Sequence, residues 1–273
     1  MAQFFQNFSA TALARNSQHS ELEFWSDTAA DATLLSSPEV VAHTAGSKAL
    51  AYLSQQPLSS RRCSVLFDPR SAASLIGHLV QAVSGQALYT SSSFLLDKMG
   101  QQVLADHISL REDPFIPGSV SSIAFDGDGI APQKRHVVEY GELKGYFLSL
   151  YAARPLSKEP TGHGLGPSNL LISSTLTQPE DDFTQMLKKL GTGLLVTSLA
   201  GNGVRLHNGD YSRGARGFWV ANGEIQHAVT GITISSNLAQ IFLGIAAIGS
   251  DELTQGSFRT GSILIDQMEI SGH

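Results

Sequence analysis

Apolar residues recur three and four positions apart in several segments of the chain, which is the spacing of one face of a helix. The clearest segment is 68–84, where positions 72, 75, 76, 79, 80 and 83 are apolar and Asp68-Pro69 is a typical helix start. In segment 179–190 acidic residues come first and lysines come last, which is the order that the helix dipole favours. The pattern predicts helices over 37–53, 68–84, 179–190 and 237–248.

Shorter segments alternate polar and apolar residues or are continuously apolar, which indicates strands. Asn222-Gly223 is the favoured two-residue turn of a β-hairpin. Two strands within residues 4–25 are predicted around a polar turn at 16–20, and further strands over 63–67, 120–125, 136–140, 143–151, 194–199, 217–220, 224–235 and 262–270.

Predicted strands outnumber helices, and hairpin turns are commoner than helical crossovers. This balance predicts an α+β fold with a mostly antiparallel β-sheet curled around the helices 68–84 and 237–248. The length of 273 residues, 42% of them hydrophobic, is enough for a sizeable core. A polar run at 59–62 suggests a division into residues 1–62 and 63–273.

Charge and cysteine content exclude several classes of protein. The 18 Lys and Arg residues against 24 Asp and Glu give a net charge of −6, and no run of basic residues is longer than Arg61-Arg62 or Lys188-Lys189, so we set aside direct binding of nucleic acid. The lone Cys63 excludes an internal disulfide framework. We find no signal peptide and no apolar run of membrane-spanning length, so we expect a cytoplasmic protein without a membrane partner.

Two polar features have both a chemical and a structural interpretation. His78 could bind a metal or act as a base, but Ser74 and Ala82 one turn away offer no second metal ligand, which favours a polar residue at the edge of an apolar helix. The Asp-Gly pairs at 126–129 resemble a calcium loop only faintly, because the acidic residue expected at its twelfth position is missing. A tight turn explains them better.

Two further segments are candidates for peptide binding. The glycine-rich stretch 161–169 contains His163 and Asn169, and it is either a ligand-facing loop, with His163 in a cleft, or a connector. Before the predicted hairpin lie Asp210, Tyr211, Ser212 and Arg213. The arginine either grips a peptide carboxylate or pairs with the aspartate to fix the loop.

Several strings resemble the TldD/PmbA family of intracellular peptidases, once called modulators of DNA gyrase. They occur in the family's order and cover nearly the whole chain, most strongly from residue 64 onward. The signature is Gly209-Asp210-Tyr211-Ser212-Arg213-Gly214 running into the hairpin, and the other matches are 65–69, 93–97, 151–154, 161–163, 191–197 and 261–265.

The resemblance implies one of two branches. In the TldD-like branch a His-Glu-x-x-x-His helix binds zinc, and its glutamate activates water. Aligned on this chain, the three motif positions are Gly77, His78 and Ala82, so neither zinc-binding histidine is present. The chain is therefore similar to the PmbA (TldE) branch, with no catalytic residue, metal ligand or cofactor of its own.

That branch implies a partnership. Zinc is expected only in a TldD-like partner subunit, and the complex is expected to act on unfolded peptides in peptide-antibiotic maturation and antitoxin degradation. The relatives carry a whole amino-terminal domain, of which residues 1–62 resemble only the end; this leaves heteromer assembly open, with a homo-oligomer as the state of the chain alone.

Two other functions stay open at this stage. One is a self-sufficient metallopeptidase whose ligands come from His78, His107, His136 or His163. The other is a modulator that binds a gyrase or toxin–antitoxin component without proteolysis.

Overall fold

A computed structural model describes residues 5–272. Residues 1–4 and 273, the outer ends of the predicted divisions 1–62 and 63–273, lie outside that range. Its strands are β1 (Gln6–Arg15), β2 (Ser20–Ala29), β3 (Arg61–Phe67), β4 (Ile108–Glu112), β5 (Arg135–Glu139), β6 (Glu142–Leu143), β7 (Leu170–Ser174), β8 (Gly193–Ala200), β9 (Val204–Arg205), β10 (Asp210–Ala221), β11 (Glu224–Asn237), β12 (Ile245–Ile248), β13 (Leu253–Gln255), β14 (Phe258–Thr260) and β15 (Ile263–Ser271). Its helices are α1 (Pro38–Ala51), α2 (Pro69–Ala82), α3 (Gly85–Tyr89), α4 (Leu150–Ala153), α5 (Phe183–Leu190) and α6 (Leu238–Leu243).

The chain begins with a hairpin of β1 and β2, followed by α1. The predicted polar turn between the two strands is confirmed, and Asn16 Oδ1 accepts hydrogen bonds from the backbone N–H groups of Gln18 and His19. The hairpin is fixed to the rest of the chain by Arg216 of β10, whose guanidinium lies 2.7 Å from Glu21 and 3.1 Å from Glu23. These charge pairs connect β2 to β10.

Seven strands form a sheet that curls until it closes. Its order is β11-β10-β8-β3-β15-β12, with β9 beside β10. The closure comes from an extra pairing in which Thr233–Ser235 of β11 meet residues 269–271 of β15. Strands β3 and β8 run parallel, and the other pairs of this sheet are antiparallel.

A second sheet has the order β13-β14-β7-β4-β5-β6, with β14 and β7 parallel. Helix α2 contacts β3 and β8 of the closing sheet and β13 and β14 of the second sheet. Its buried side chains include Leu75, Ile76 and Leu79, which share one core with strand residues such as Phe67 and Ile172. The predicted α+β class, mostly antiparallel pairing and central role of helix 68–84 are confirmed.

The other face of the closing sheet is covered by α5. Leu66 and Leu195 of the sheet pack there against Met186, Leu187 and Leu190. None of the helices formed by residues 5–272 is long and apolar enough to cross a membrane.

Two predicted strands are wrong. Residues 120–125 form turns, because Ser119 and Ser122 hydrogen-bond locally to the backbone and compete with a sheet ladder. The strand predicted over 143–151 stops at Leu143. The backbone of residues 144 and 145 still donates to Val137 of β5, but the Phe147 backbone bonds to Val83 and Gly85, where α2 has ended and α3 begins.

Three helix boundaries also differ from prediction. The apolar run 237–248 is a helix only to Leu243; Gly244 ends α6, and residues 245–248 form β12 on β15, an ambiguity expected of short apolar runs. Helix α5 begins at Phe183 rather than at residue 179, since Asp182 caps it. The helix predicted over 68–84 ends at Ala82, and a separate helix α3 starts at Gly85, because the Ser84 side chain caps it.

Candidate functional site

Helix α2 presents the motif positions Gly77, His78 and Ala82. Asp68 caps the helix, with its Oδ1 atom accepting a hydrogen bond from the Ser71 N–H over 2.8 Å. Ala82 is fully buried, and the position where Gly77 would carry a side chain lies 4.0 Å from the Phe258 ring. Of the three positions, only His78 therefore places a polar side chain in this region.

His78 lies against the start of β10. Arg213 Nη1 donates to His78 Nε2 over 3.4 Å, and the Tyr211 ring stands edge-on to the imidazole at 5.9 Å between centroids. Burial, followed by the positive charge of Arg213, lowers the pKa of His78, while Gln81 opposes this shift. The imidazole is therefore held neutral beside a permanent cation.

Tyr211 lies beneath this pair. It is only 1% exposed, and within residues 5–272 its hydroxyl has no hydrogen-bond partner; the same is true of the buried His78 Nδ1 atom. Burial raises the pKa of Tyr211 to about 12. The described chain thus leaves two buried polar atoms unsatisfied next to each other, which is uncommon in a folded protein.

The signature segment is a strand rather than the predicted loop. Strand β10 starts at Asp210, so alternate residues point to opposite sides: Tyr211 and Arg213 face α2, whereas Asp210 and Ser212 are exposed. The predicted turn at Asn222-Gly223 is confirmed by the β10–β11 register and by positive φ angles of 55° and 77°.

The alternative interpretation of an Asp210–Arg213 pair is wrong. Asp210 accepts a hydrogen bond from Asn208 over 2.7 Å, and Arg213 Nε donates to the Ala200 carbonyl oxygen over 3.1 Å. The two residues lie on opposite faces of β10. The arginine is fixed by β8 and keeps its guanidinium half-exposed beside His78.

His163 is not in a cleft, contrary to the first interpretation of the loop 161–169. Its side chain is fully buried, and its Nε2 atom lies 2.9 Å from both carboxylate oxygens of Glu112. Arg135 Nε donates to the same carboxylate over 2.9 Å, and the Ser168 N–H donates to it over 2.9 Å. This Glu112 network fixes the loop from inside.

Asn169 lies elsewhere, at the edge of a groove. Its backbone has a positive φ of 42°, and its side-chain amide donates to the Asp113 carbonyl oxygen and to Ser122 Oγ, each over 2.8 Å. The predicted peptide-binding residues thus fall into three separate places: the His78 pocket with residues 210–213, the Glu112 network, and the groove at Asn169.

The four histidines of the self-sufficient enzyme hypothesis also lie apart. His107 bonds to Ser174 and to the Ile245 carbonyl, and His136 lies 3.5 Å from Glu139. Throughout the part of the chain that the structure describes, no group of three or more His, Cys, Asp or Glu side chains is placed to hold a metal ion.

Comparison with known proteins decides the family. The family model described as "PmbA/TldA metallopeptidase C-terminal domain" matches residues 60–272, most of the chain. The chain belongs to the PmbA/TldD family. The division near residue 62 stays a prediction.

Two curated PmbA relatives are similar over most of this chain. The metalloprotease PmbA homolog of Haemophilus influenzae is 42% identical over 239 residues, covering 88% of this chain and 52% of the relative. The metalloprotease PmbA of Escherichia coli O157:H7 is 40% identical over 238 residues, covering 87% and 52%. The chain therefore spans about half the length of these PmbA proteins.

Solved structures of the family have the same fold. A candidate modulator of DNA gyrase from Bacteroides thetaiotaomicron has a TM-score of 0.91 at 25% identity, covering 98% of this chain and 60% of that one. TldE from Thermococcus kodakarensis has a TM-score of 0.85 at 21% identity, covering 98% and 63%.

The word metallopeptidase in the description of the family implies a bound metal ion. The residues at the α2 site do not fit such an ion. Gly77 and Ala82 have no donor atoms, and a zinc site needs three or four ligands. The remaining imidazole has a guanidinium 3.4 Å away, which would repel a divalent cation. We therefore derive no metal-dependent step at this position.

Sequence reasoning missed the Glu112 network. A usable signal was present: Ile108, Leu110 and Glu112 alternate on one face of β4, so the glutamate occupies an inward position. A buried carboxylate at such a position requires charged or hydrogen-bonding partners, which here come from Arg135 and His163.

The His78–Arg213 contact leads to a direct test. We expect Arg213→Gln to raise the pKa of His78, because the second largest cause of its lowering is removed while burial stays. The pKa can be read from the imidazole NMR shifts of His78 across a pH titration. Arg205→Gln, which removes an exposed arginine on β9, is the matched control. Equal effects of the two substitutions would contradict the proposed contact.

Proposed function

We propose that the chain is the PmbA/TldE-type subunit of a two-component peptidase that acts on unfolded peptides in the cytoplasm. In this proposal a TldD-like partner supplies the zinc ion and the water-activating glutamate, and this chain holds the peptide. The observation that carries the proposal is the α2 site, where two of the three motif positions lack donor atoms and the third faces Arg213.

The proposed peptide contacts follow from exposure. Asp210 and Ser212 are exposed on β10, and Arg213 offers a partly exposed guanidinium that can bind a carboxylate or a peptide carbonyl. Tyr211 is buried and supports this surface from beneath, whereas His163 is buried in the separate Glu112 network and fixes the loop 161–169. The roles in peptide-antibiotic maturation and antitoxin degradation come from the family resemblance and belong to this proposal.

Co-expression with the TldD-like subunit of the same genome tests the proposal. We expect one heteromeric peak in size-exclusion chromatography, and zinc-dependent cleavage of an unstructured peptide by the mixture but not by this chain alone. Arg213→Gln should lower cleavage while Arg205→Gln leaves it unchanged.

Three outcomes would overturn the proposal. They are cleavage by the isolated chain with stoichiometric zinc, no complex with the TldD-like subunit, and recovery of a gyrase or toxin–antitoxin component without proteolysis. A homo-oligomer of the chain alone is compatible with the proposal only if it gives way to the heteromer on mixing.

A further inference from the structure

A groove of about 350 Å³ lies on the outer face of the second sheet. Its floor is a row of residues paired across neighbouring strands: Arg259 of β14 lies opposite Leu171 of β7, which lies opposite Arg111 of β4. Phe258, next to Arg259, points toward Gly77 on α2. The groove is therefore on the side of the sheet that faces away from the His78 site.

Among the residues described, Arg111 is a cation of this groove that forms no ion pair. Arg259 is held by Glu252 at 2.6 Å, and Asp113 is held by Lys134 at 2.9 Å. Within residues 5–272, the exposed Arg111 side chain has no hydrogen bond or ion pair, although its charge contributes to lowering the pKa of Asp113 after the larger effect of Lys134. A planar guanidinium of this kind is suited to a carboxylate, which it can bind through two parallel hydrogen bonds.

Apolar side chains stand beside this charge. Leu34, from the segment after β2, is 70% exposed, and Ile116, from the loop after β4, is 39% exposed; both line the groove. Together with Leu171 they form an apolar surface next to Arg111. A volume of about 350 Å³ is at the small end of ligand sites, which suits the end of a chain better than a long segment.

We propose that this groove binds the free carboxyl terminus of a peptide whose last side chain is apolar. Arg111 receives the terminal carboxylate, and Leu34 and Ile116 pack against the terminal side chain. A carboxylate fits better than a phosphate, because only one guanidinium is free and the apolar side chains of Leu34 and Ile116 line the same groove. The inference rests on the proposed peptide-holding function and adds to it a preference for one end of the substrate.

Fluorescence anisotropy with short amino-terminally labelled peptides tests this preference on the chain without a partner. We expect a peptide ending in leucine with a free carboxylate to bind about tenfold or more tightly than its carboxamide, as for a lost charge-assisted hydrogen bond. Arg111→Gln should remove this difference. Arg62→Gln, which removes an exposed arginine paired with Glu269 at 3.5 Å on the other sheet, should keep it.

A second variant tests the apolar wall. Leu34→Ser should weaken binding of the peptide ending in leucine several-fold and leave binding of a peptide ending in glycine unchanged, because only the first has a terminal side chain that can pack against Leu34. Thermal unfolding of each variant confirms that it is folded. Three results would overturn the proposal. The first is equal affinity for the free acid and the carboxamide of the peptide ending in leucine. The second is that a carboxamide peptide with an internal aspartate binds as tightly as the free acid, and the third is that no peptide binds.

The outcome is separable from that of the proposed function. Complex formation and zinc-dependent cleavage can succeed while the terminal preference is missing, which would overturn the groove alone. The converse, a carboxylate preference without any TldD-like complex, would overturn the subunit role and leave the groove standing.

Discussion

Glu112→Ala is expected to destabilise the protein by about 3–5 kcal/mol, since it leaves His163, Arg135 and the Ser168 N–H without their carboxylate. The Glu112 side chain is fully buried and is bonded by His163, Arg135 and the Ser168 N–H. Urea denaturation followed by tryptophan fluorescence measures the change in the free energy of unfolding.

The matched control is Glu269→Ala, because Glu269 forms an exposed pair with Arg62 and such pairs contribute about 0–1 kcal/mol. A loss below about 1 kcal/mol for Glu112→Ala would contradict the role of the network. Glu112→Gln is a milder companion that keeps the shape of the side chain.

The same carboxylate predicts a pH dependence. Burial acts to raise the pKa of Glu112, but the bonds from His163, Ser168 and Arg135 outweigh it, and the net pKa lies below the ordinary 4.5. Because the folded pKa is depressed, the stabilisation is fully present above pH 4.5 and is lost as the pH falls through the lower folded value. In Glu112→Gln, the loss of stability below pH 4.5 should be smaller than in the natural chain.

Gly217→Ala is expected to destabilise the protein by about 2–3 kcal/mol through overpacking. A side-chain carbon at this position of β10 would lie 1.8 Å from the Leu195 carbonyl oxygen and 2.8 Å from its carbon. Both atoms belong to the backbone of β8, so the strands must separate at the register shift beside Gly217. Thermal and urea unfolding measure the effect.

Gly46→Ala gives the opposite expectation with the same chemical change. Gly46 lies inside α1, with nothing within 4 Å of the added carbon, so alanine should stabilise the protein by about 0.5–1 kcal/mol. If Gly217→Ala were as harmless as Gly46→Ala, the close approach of β10 and β8 would be incorrect.

The sequence predicted the regular parts of the fold well. Helix α2 followed from its apolar spacing and from the cap at Asp68, and the β10–β11 hairpin followed from Asn222-Gly223, because both signals are local. Errors arose where distant partners decide the structure. The run 245–248 becomes a strand only because β15 lies beside it, and residues 120–125 fail to form one because their serines bond locally.

The candidate site was predicted in part. The sequence indicated the missing ligands at Gly77 and Ala82, and it identified Tyr211 and Arg213 as neighbours of the hairpin. It did not indicate that Arg213 contacts His78, because the two are 135 residues apart. It left open whether His163 lies in a cleft or on a connector, since spacing alone does not reveal that Glu112 and Arg135 surround that ring.

The position of β15 has a consequence for biosynthesis. This strand lies between β3 and β12 and also pairs with β11. One edge of each of these three strands, which are synthesised earlier, therefore stays unpaired until residues 263–271 are available. Pairing of β3 with partners about two hundred residues away is slow compared with local contacts. During translation, the unpaired edges of β3 and β12 are therefore exposed until β15 leaves the ribosome, and this nascent stage is where aggregation would start.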